Sequence, residues 1–247
     1  PSRVEGGTRA LLELLSEHGV HGTFFVLGWV ARRRPDLVRS IAAAGHEVAS
    51  HGWGHRRVTE LTTEQFRTSV RASRAELEDL VGCEVIGYRA PSFSIVPRTE
   101  WALDVLLEEG YRYDSSIFPG RPGSGWGKMD RDPHRLRRAA GSLDVVPPAT
   151  LRLAGRTLPA GGGAYFRLLP YRLCASALRQ AAARGAAATF YVHPWEVDPG
   201  QPRFAVPLLT RIRHYGGLRN TLPRLRRLLS EFRFQPIART LALAEAA

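Results

Sequence analysis

The sequence predicts an α/β protein built on a mostly parallel sheet, and three observations carry that prediction. Stretches with apolar residues at helical spacing alternate with short β-rich runs over the first two-thirds of the chain, the pattern of consecutive βαβ units. The polar clusters fall where the β-rich runs stop, on the edge where parallel α/β sheets and barrels assemble their sites. Length and composition agree: 247 residues, 44% hydrophobic and 23% charged, suffice for a sizeable core. One domain over residues 1–247 is the simplest organisation.

Taken in order, Thr8–His18 reads as a helix that stops at Gly19. Thr23–Leu27 is β-rich, and Pro35–Ala44 is helical up to Gly45. Glu47–Ser50 reads as a strand that runs into a loop. Thr62-Thr63-Glu64-Gln65 is a capping signal for a helix reaching about Leu80. Val85–Ala90 is the next strand, Thr99–Glu109 a helix stopped by Gly110, and Tyr111–Ser115 the strand after it. Glycine and proline in Pro119–Pro133 break the pattern and predict a long functional loop. Asp144–Pro147 and Thr157–Ala160 read as short strands around the Gly161-Gly162-Gly163 turn. Pro170–Arg184 is helical, Ala188–His193 an apolar strand ending in His-Pro-Trp-Glu, and Asn220–Phe232 an amphipathic basic helix.

The formal net charge is +12, and Lys128 is the only lysine. A protein this basic can attract nucleic acid, acidic lipid or anionic polymer. Its arginines are scattered, with local clusters at Arg32–Arg34, Arg135–Arg138 and Arg224–Arg227. None is interleaved with the aromatic, glycine-rich motifs of RNA-binding modules, so solvated faces are expected, and no specific nucleic-acid partner. Cys83 and Cys174 are too few and too far apart for a redox or metal motif and read as buried thiols. No apolar run is long enough to span a membrane. The chain begins at Pro1 with no charged-then-apolar leader, and the cytoplasm is the expected compartment.

The richest stretch is Gly45-His46-Glu47-Val48-Ala49-Ser50-His51-Gly52-Trp53-Gly54-His55. It sets His51 and His55 four residues apart after a short apolar run, and imidazole is the commonest protein ligand for a transition metal. That spacing alone is weak evidence. Gly52 and Gly54 argue against a helix, and the central Glu of a zinc-protease helix is absent. A strand running into a loop that turns both rings toward one point is the better reading. Three further clusters close strands in the same way: Tyr88-Arg89-Ala90-Pro91-Ser92, Asp114-Ser115-Ser116 and His193-Pro194-Trp195-Glu196. Taken singly, His193 fits an ordinary strand-end histidine, and Arg89 with Asp114 fits a structural ion pair as well as a catalytic one. Trp53 and Trp195 fit core positions, though their glycine and His-Pro neighbours point to a pocket wall. His46 is expected to cap or pack. His18, His21, His134 and His214 show no partner pattern and read as surface residues.

Together these segments resemble the polysaccharide deacetylases of carbohydrate esterase family four. That family carries a strand-end Asp pair, a His-x-x-x-His metal motif, an Arg-x-Pro motif, an Asp-containing motif and a late strand-end His. Here Ser50-His51-Gly52-Trp53-Gly54-His55 corresponds to the second, Arg89-Ala90-Pro91-Ser92 to the third, Asp114 to the fourth and Phe190-Tyr191-Val192-His193 to the fifth. The resemblance covers about Val4 to Trp195. The tail, from His193-Pro194-Trp195-Glu196 through His214-Tyr215 to Phe232-Arg233-Phe234, is similar to a subgroup found with exopolysaccharide and exosortase-linked loci. Residues 196–247 would then be a subgroup-specific extension.

The resemblance implies a distorted (β/α) barrel of mostly parallel strands, here lacking its first strand. It implies a hydrolase that removes N-acetyl groups from an N-acetylated polysaccharide substrate, with a divalent metal, zinc first and Co, Ni or Mn as alternatives. His51 and His55 would be metal ligands, and His193 the acid that protonates the departing amine. Arg89 would orient the base, with Asp114 holding Arg89; Ser92 would offer a backbone donor to the oxyanion, and Trp195 would contact substrate.

Two departures matter. The family commonly has Tyr where this chain has Ser92. More important, the Asp motif is missing: upstream of Phe24 the acidic residues are Glu5, Glu13 and Glu17, and the first Asp is Asp36. Two metal ligands and the acid are visible, but neither the third protein ligand nor the base. A trimmed start is the expected explanation; taken as complete, the chain predicts weak metal binding and little or no hydrolysis. The rival readings are a non-catalytic carbohydrate-binding relative and a metal hydrolase of another amide or ester, such as a formamide or cyclic imide.

Overall fold

The computed structural model describes residues 2–126 and 129–242. They form two compact units, one within residues 21–147 and 235–242, the other within residues 2–20 and 148–234.

Helix α1 (Arg3–Glu17) starts earlier than its apolar spacing indicates, because Ser2 and Glu5 form a capping box ahead of it. Gly19 ends it at φ 61°. Strand β1 (Thr23–Val26), helices α2 (Gly28–Arg33) and α3 (Pro35–Ala43), and strand β2 (Glu47–Ser50) follow. Six-residue α2 is too short for a helical apolar period, and sequence reading missed it. Helix α4 (Thr63–Val81) has the expected cap: the Gln65 N–H donates to Thr62 Oγ1 and the Thr62 N–H to Gln65 Oε1, both at 3.2 Å. Next come β3 (Gly87–Tyr88), α5 (Trp101–Glu108) and β4 (Tyr113–Asp114), then β5 (His134–Arg138) and β6 (Gly141–Val145). The chain continues as β7 (Thr150–Leu153), β8 (Arg156–Pro159), α6 (Gly163–Leu168), α7 (Tyr171–Ala182), α8 (Leu208–Tyr215), α9 (Thr221–Glu231) and α10 (Ile237–Thr240). Between β4 and β5 the described residues form no helix or strand, as the glycine and proline content of Pro119–Pro133 requires.

The first unit holds a six-stranded sheet in the order β1-β2-β3-β4-β6-β5. Every neighbouring pair is parallel except β5–β6. Sequence reading missed β5, whose basic sequence His-Arg-Leu-Arg-Arg hides an edge strand that half-buries alternate residues. Strands β3 and β4 are shorter than the Val85–Ala90 and Tyr111–Ser115 runs that predict them, although Arg89 N–H continues the ladder to Ser50 O at 3.0 Å. Among the described residues the sheet is open, with β1 and β5 as its edges, so a distorted barrel is present only as an unclosed arc. Val48, Ala49, Tyr88, Tyr113, Leu143 and Val145 bury its interior. The Glu47 carboxylate ties the amino ends of the strands together. It accepts from Thr23 Oγ1 (2.6 Å), Tyr113 OH (2.7 Å) and the Ala238 N–H (3.1 Å), which anchors α10 on this unit.

The second unit packs α1, α7 and α9 around Leu14, Phe166, Cys174, Leu178, Leu225 and Leu228, beside the β7–β8 hairpin. The predicted Ala188–His193 strand is reduced to two isolated parallel bridges, Thr189 to Pro148 and Tyr191 to Gly162. The partners explain why: Pro148 has no N–H to extend a ladder, and Gly162 already turns the chain into α6. The two cysteines divide. Cys174 is buried as expected, whereas Cys83 is exposed because it follows Gly82 in the turn that ends α4.

Candidate active site

In a parallel sheet all strands run the same way, so residues that follow β2, β3 and β4 emerge on one edge. His51 follows Ser50 directly, and its N–H continues the ladder to Val26 O at 2.8 Å. Its ring Nδ1 lies 2.5 Å from the Arg89 carbonyl oxygen. A carbonyl only accepts, so Nδ1 carries the proton, and in the neutral ring Nε2 carries the lone pair. His55 brings its ring edge-on to that of His51, with centroids 5.3 Å apart. It reaches there through positive φ at Gly52 (76°) and at His55 itself (52°), a conformation that histidine adopts more readily than most residues. The expected loop with converging rings is present.

Helix α2, absent from the sequence reading, supports that loop. Gly28 N–H donates to Gly52 O (2.9 Å) and Trp29 N–H to Trp53 O (3.1 Å). A Cβ at Gly28 would lie 2.5 Å from Trp53 Cε3, so the indole occupies space that only glycine leaves. The Arg32 guanidinium sits over the Trp53 ring at 4.6 Å. Trp53 thus packs as a wedge under the loop. His46 also packs, as expected: its Nδ1 accepts from Gly22 N–H (3.0 Å), and burial together with nearby His21 lowers its pKa.

Arg89 is 9% exposed, with its guanidinium 4.2 Å from the Phe25 ring centroid. Its Nε donates to Ser115 O (3.1 Å) and its Nη2 to Ser115 Oγ (2.7 Å), while Ser115 Oγ donates to Val146 O at 2.6 Å. Asp114 is fully buried and accepts from Ser116 N–H (2.9 Å) and Ser116 Oγ; that hydroxyl in turn takes the Ala90 N–H at 2.7 Å. Arg89 and Asp114 are therefore joined through Ser115 and Ser116, two residues whose importance their bare presence after a strand hardly signals. Beyond them Ser92 and Phe93 take consecutive left-handed conformations (φ 58° and 53°), and Ser92 is exposed on the turn.

Burial pushes the Asp114 carboxyl from 3.8 up to about 6, although the Ser116 hydrogen bonds and Arg89 act in the opposite direction. The folded group holds its proton more tightly than the unfolded one, so stability falls as pH rises from about 3.8 to about 6. Above that window the ionised group costs on the order of 3 kcal/mol. Asp114→Asn is therefore expected to gain on wild type by on the order of 2–3 kcal/mol between about pH 4 and pH 7. Urea unfolding at both values measures it, and a difference that does not move with pH excludes the shift.

The second unit carries the other cluster. His193 is about half exposed, and its Nδ1 and backbone N–H both lie against Glu196 Oε2, at 2.8 and 2.9 Å. Glu196 Oε1 pairs with Arg167 Nε at 2.7 Å, and both side chains are 1% exposed. Arg167 also donates to Arg213 O (2.7 Å) and Gly216 O. Burial raises the Glu196 pKa, but the His193 and Arg167 hydrogen bonds outweigh it and hold the carboxylate below its ordinary range. Trp195 is sandwiched between His193 (5.6 Å) and His214 (4.4 Å), with Arg167 5.1 Å from its ring. His214, expected at the surface, is half-buried in that stack, and its Nε2 meets Gln201 Oε1 at 3.0 Å. Sequence reading missed Arg167, because nothing marks one arginine of a helix as buried.

The structure thus brings His51, His55, Arg89, Ser92 and Asp114 into one unit, and places His193 and Trp195 in the other. Among the described residues no group of three or more His, Cys, Asp or Glu side chains comes together to hold a metal ion. Two imidazoles are half of a tetrahedral set, so the donors present do not by themselves fit a catalytic metal.

An α/β protein with paired imidazoles and a buried Arg–Ser–Asp network on the carboxyl edge of a parallel sheet is of the class that builds its active site on that edge. The polysaccharide deacetylase family matches residues 2–113, and a domain of unknown function (DUF3473) matches residues 115–242. The chain is 29% identical over 133 residues to a peptidoglycan deacetylase of Helicobacter pylori, a match that covers 51% of this chain and 44% of that protein. It is 42% identical over 64 residues to a chitooligosaccharide deacetylase of Rhizobium leguminosarum, covering 26% of this chain and 30% of that one. The chain thus spans less than half the length of either relative. A crystal structure of a Mycobacterium smegmatis protein assigned to the polysaccharide deacetylases shares the fold over 98% of this chain and 79% of that one, with TM-score 0.66 and 23% identity. The chain belongs to the DUF3473 family, whose model covers residues 115–242, and its residues 2–113 are similar to the polysaccharide deacetylases.

Proposed function

We propose that this protein is a metal-dependent hydrolase that removes N-acetyl groups from N-acetylhexosamine units of a polysaccharide or oligosaccharide, in exopolysaccharide or cell-envelope biosynthesis. The observation that carries the reading is the histidine loop: the Arg89 carbonyl holds His51 Nδ1, and the His51 ring lies edge-on to that of His55. The deacetylases named among the relatives support the substrate class. In this reading His51 and His55 supply two ligands to a divalent ion, zinc before Co, Ni or Mn. Among the described residues no third His, Cys, Asp or Glu joins them as a metal-binding group. Arg89, held on Ser115, positions the site, and Ser92 lies on the turn that would offer a backbone donor. His193 protonates the leaving amine with Glu196 as its counter-charge, and Trp195 contacts the sugar.

The test is acetate release from N-acetylglucosamine oligomers with added Zn²⁺ or Co²⁺. Residues 1–247 alone are expected to bind metal weakly and to release little or no acetate. In a form of the protein that supplies the third donor and the base, release is expected, and chelation, His51→Ala or His55→Ala abolishes it. Clear turnover by residues 1–247 alone would overturn the assignment of the base to other residues. Polysaccharide affinity that chelators leave unchanged, with no acetate released by any form, identifies a carbohydrate-binding relative instead. Hydrolysis of a formamide or cyclic imide but not of N-acetylglucosamine oligomers moves the reading to another amide.

A further inference from the structure

The segment after Asp198 serves none of the roles above, yet it is the most exposed apolar feature of its unit. Phe204 is 70% exposed, and on α8 Leu208, Leu209 and Ile212 are 60%, 82% and 47% exposed. On a helix of 3.6 residues per turn these three leucine and isoleucine positions fall within an arc of about 100°, bordered by Arg211 on one side and Arg213 on the other. Only the end of the helix is tied down: Tyr215 is buried and its hydroxyl accepts the Phe204 N–H at 3.0 Å, and His214 stacks on Trp195. The rest is a ridge that stands off its unit.

Charge singles out the same segment. From Pro199 to Ser230 the sequence has seven arginines and no Asp or Glu. Three are occupied: Arg224 donates to the carbonyls of Phe166, Arg167 and Leu169, Arg226 pairs with Glu17, and Arg227 pairs with Glu231. Arg203, Arg211, Arg213 and Arg219 are exposed and have no carboxylate partner among the described residues. An apolar stripe edged by uncompensated arginines matches an anionic bilayer surface: leucine, isoleucine and phenylalanine enter the headgroup boundary while the arginines meet lipid phosphates. A second copy is a poor occupant, because a two-fold contact would set these arginines against their own equivalents.

We propose that Phe204 and the Leu208–Tyr215 helix, with Arg203, Arg211, Arg213 and Arg219, dock the protein on the surface of an anionic phospholipid bilayer. The proposal does not depend on the deacetylase reading. The test is sedimentation of residues 1–247 with vesicles of phosphatidylcholine alone and of equal parts phosphatidylcholine and phosphatidylglycerol. Binding is expected to the anionic vesicles only. Leu208→Ser/Leu209→Ser leaves the charge unchanged and is expected to weaken it about tenfold or more; because both positions are solvent-exposed, the variant keeps the wild-type circular dichroism. Arg211→Gln is expected to weaken it about fivefold. Failure to sediment with anionic vesicles overturns the proposal. So does binding that the double serine variant retains in full, which would be general attraction by the net charge of +12. A wild-type dimer in light scattering that the serine variant loses would assign the ridge to a second copy and overturn it equally.

Discussion

Arg167→Met is expected to cost about 3–5 kcal/mol of stability, because it strands the Glu196 carboxylate without its partner where almost no water reaches. That is a large part of what a domain of this size has to lose. The same substitution removes the donors to the carbonyls of Arg213 and Gly216, which hold the chain on either side of His214 and Tyr215. Denaturant unfolding measures the effect, and the pair Arg167→Met/Glu196→Leu separates its causes. If the penalty is an uncompensated charge, the double variant recovers much of the loss, less the local bonds Glu196 makes to His193. A single variant within about 1 kcal/mol of wild type would show that water or rearrangement satisfies Glu196, and that the ion pair is not a structural anchor.

The second large effect concerns catalysis and rests on the proposed acid. His193→Ala is expected to lower kcat for N-deacetylation by about 10²–10⁴ with little change in KM, the range for losing a positioned general acid. Glu196→Ala should produce part of that loss by another route. Glu196 accepts from Nδ1, so the neutral ring is held with its proton there and Nε2 outward. Nitrogen-15 shifts of the His193 ring report this directly: one tautomer in wild type, a mixture in Glu196→Ala, and the wild-type tautomer again in Glu196→Gln, whose amide oxygen can still accept. A fall in kcat with an unchanged tautomer would assign the loss to the missing charge rather than to ring orientation. Full activity in His193→Ala would remove His193 from the reaction.

Much of the first unit is legible residue by residue. Glu47–Ser50 is a strand with the predicted bounds, because β-rich runs between glycine-marked turns carry a strong local signal. Thr62 and Gln65 mark the start of α4 by a reciprocal pair of hydrogen bonds that needs only four consecutive residues. What escaped is what local pattern does not encode. Helix α2 is short and exists to hold the Gly52-Trp53 backbone. Strand β5 is basic because it lies at an edge. The Ala188–His193 run is apolar enough for a strand, but its partners, a proline and a glycine, allow only two bridges. The same division runs through the candidate site. His51, His55, Arg89, Asp114 and His193 stand out because each follows a strand-like run. Ser115, Ser116 and Glu196 lie in the same strand-end clusters, but nothing there shows which group each holds, and Arg167 carries no mark at all, since a hydrogen-bond partner is chosen by position in space rather than by neighbours in sequence.

By itself, then, the sequence determined the class of fold, the order of its βαβ elements and the residue types available for chemistry at the strand ends. These follow from periodicity, capping and turn chemistry, all of which act over a few residues. Only the tertiary structure decided which nitrogen of His51 faces the Arg89 carbonyl, that Asp114 is buried deeply enough to approach a pKa of about 6, and that a salt bridge between Arg167 and Glu196 lies beneath His193. It also decided that Leu209 stands in solvent while Leu228 is buried. Both are leucines of basic helices; burial depends on what the rest of the chain packs against them, and no window of local sequence contains that information.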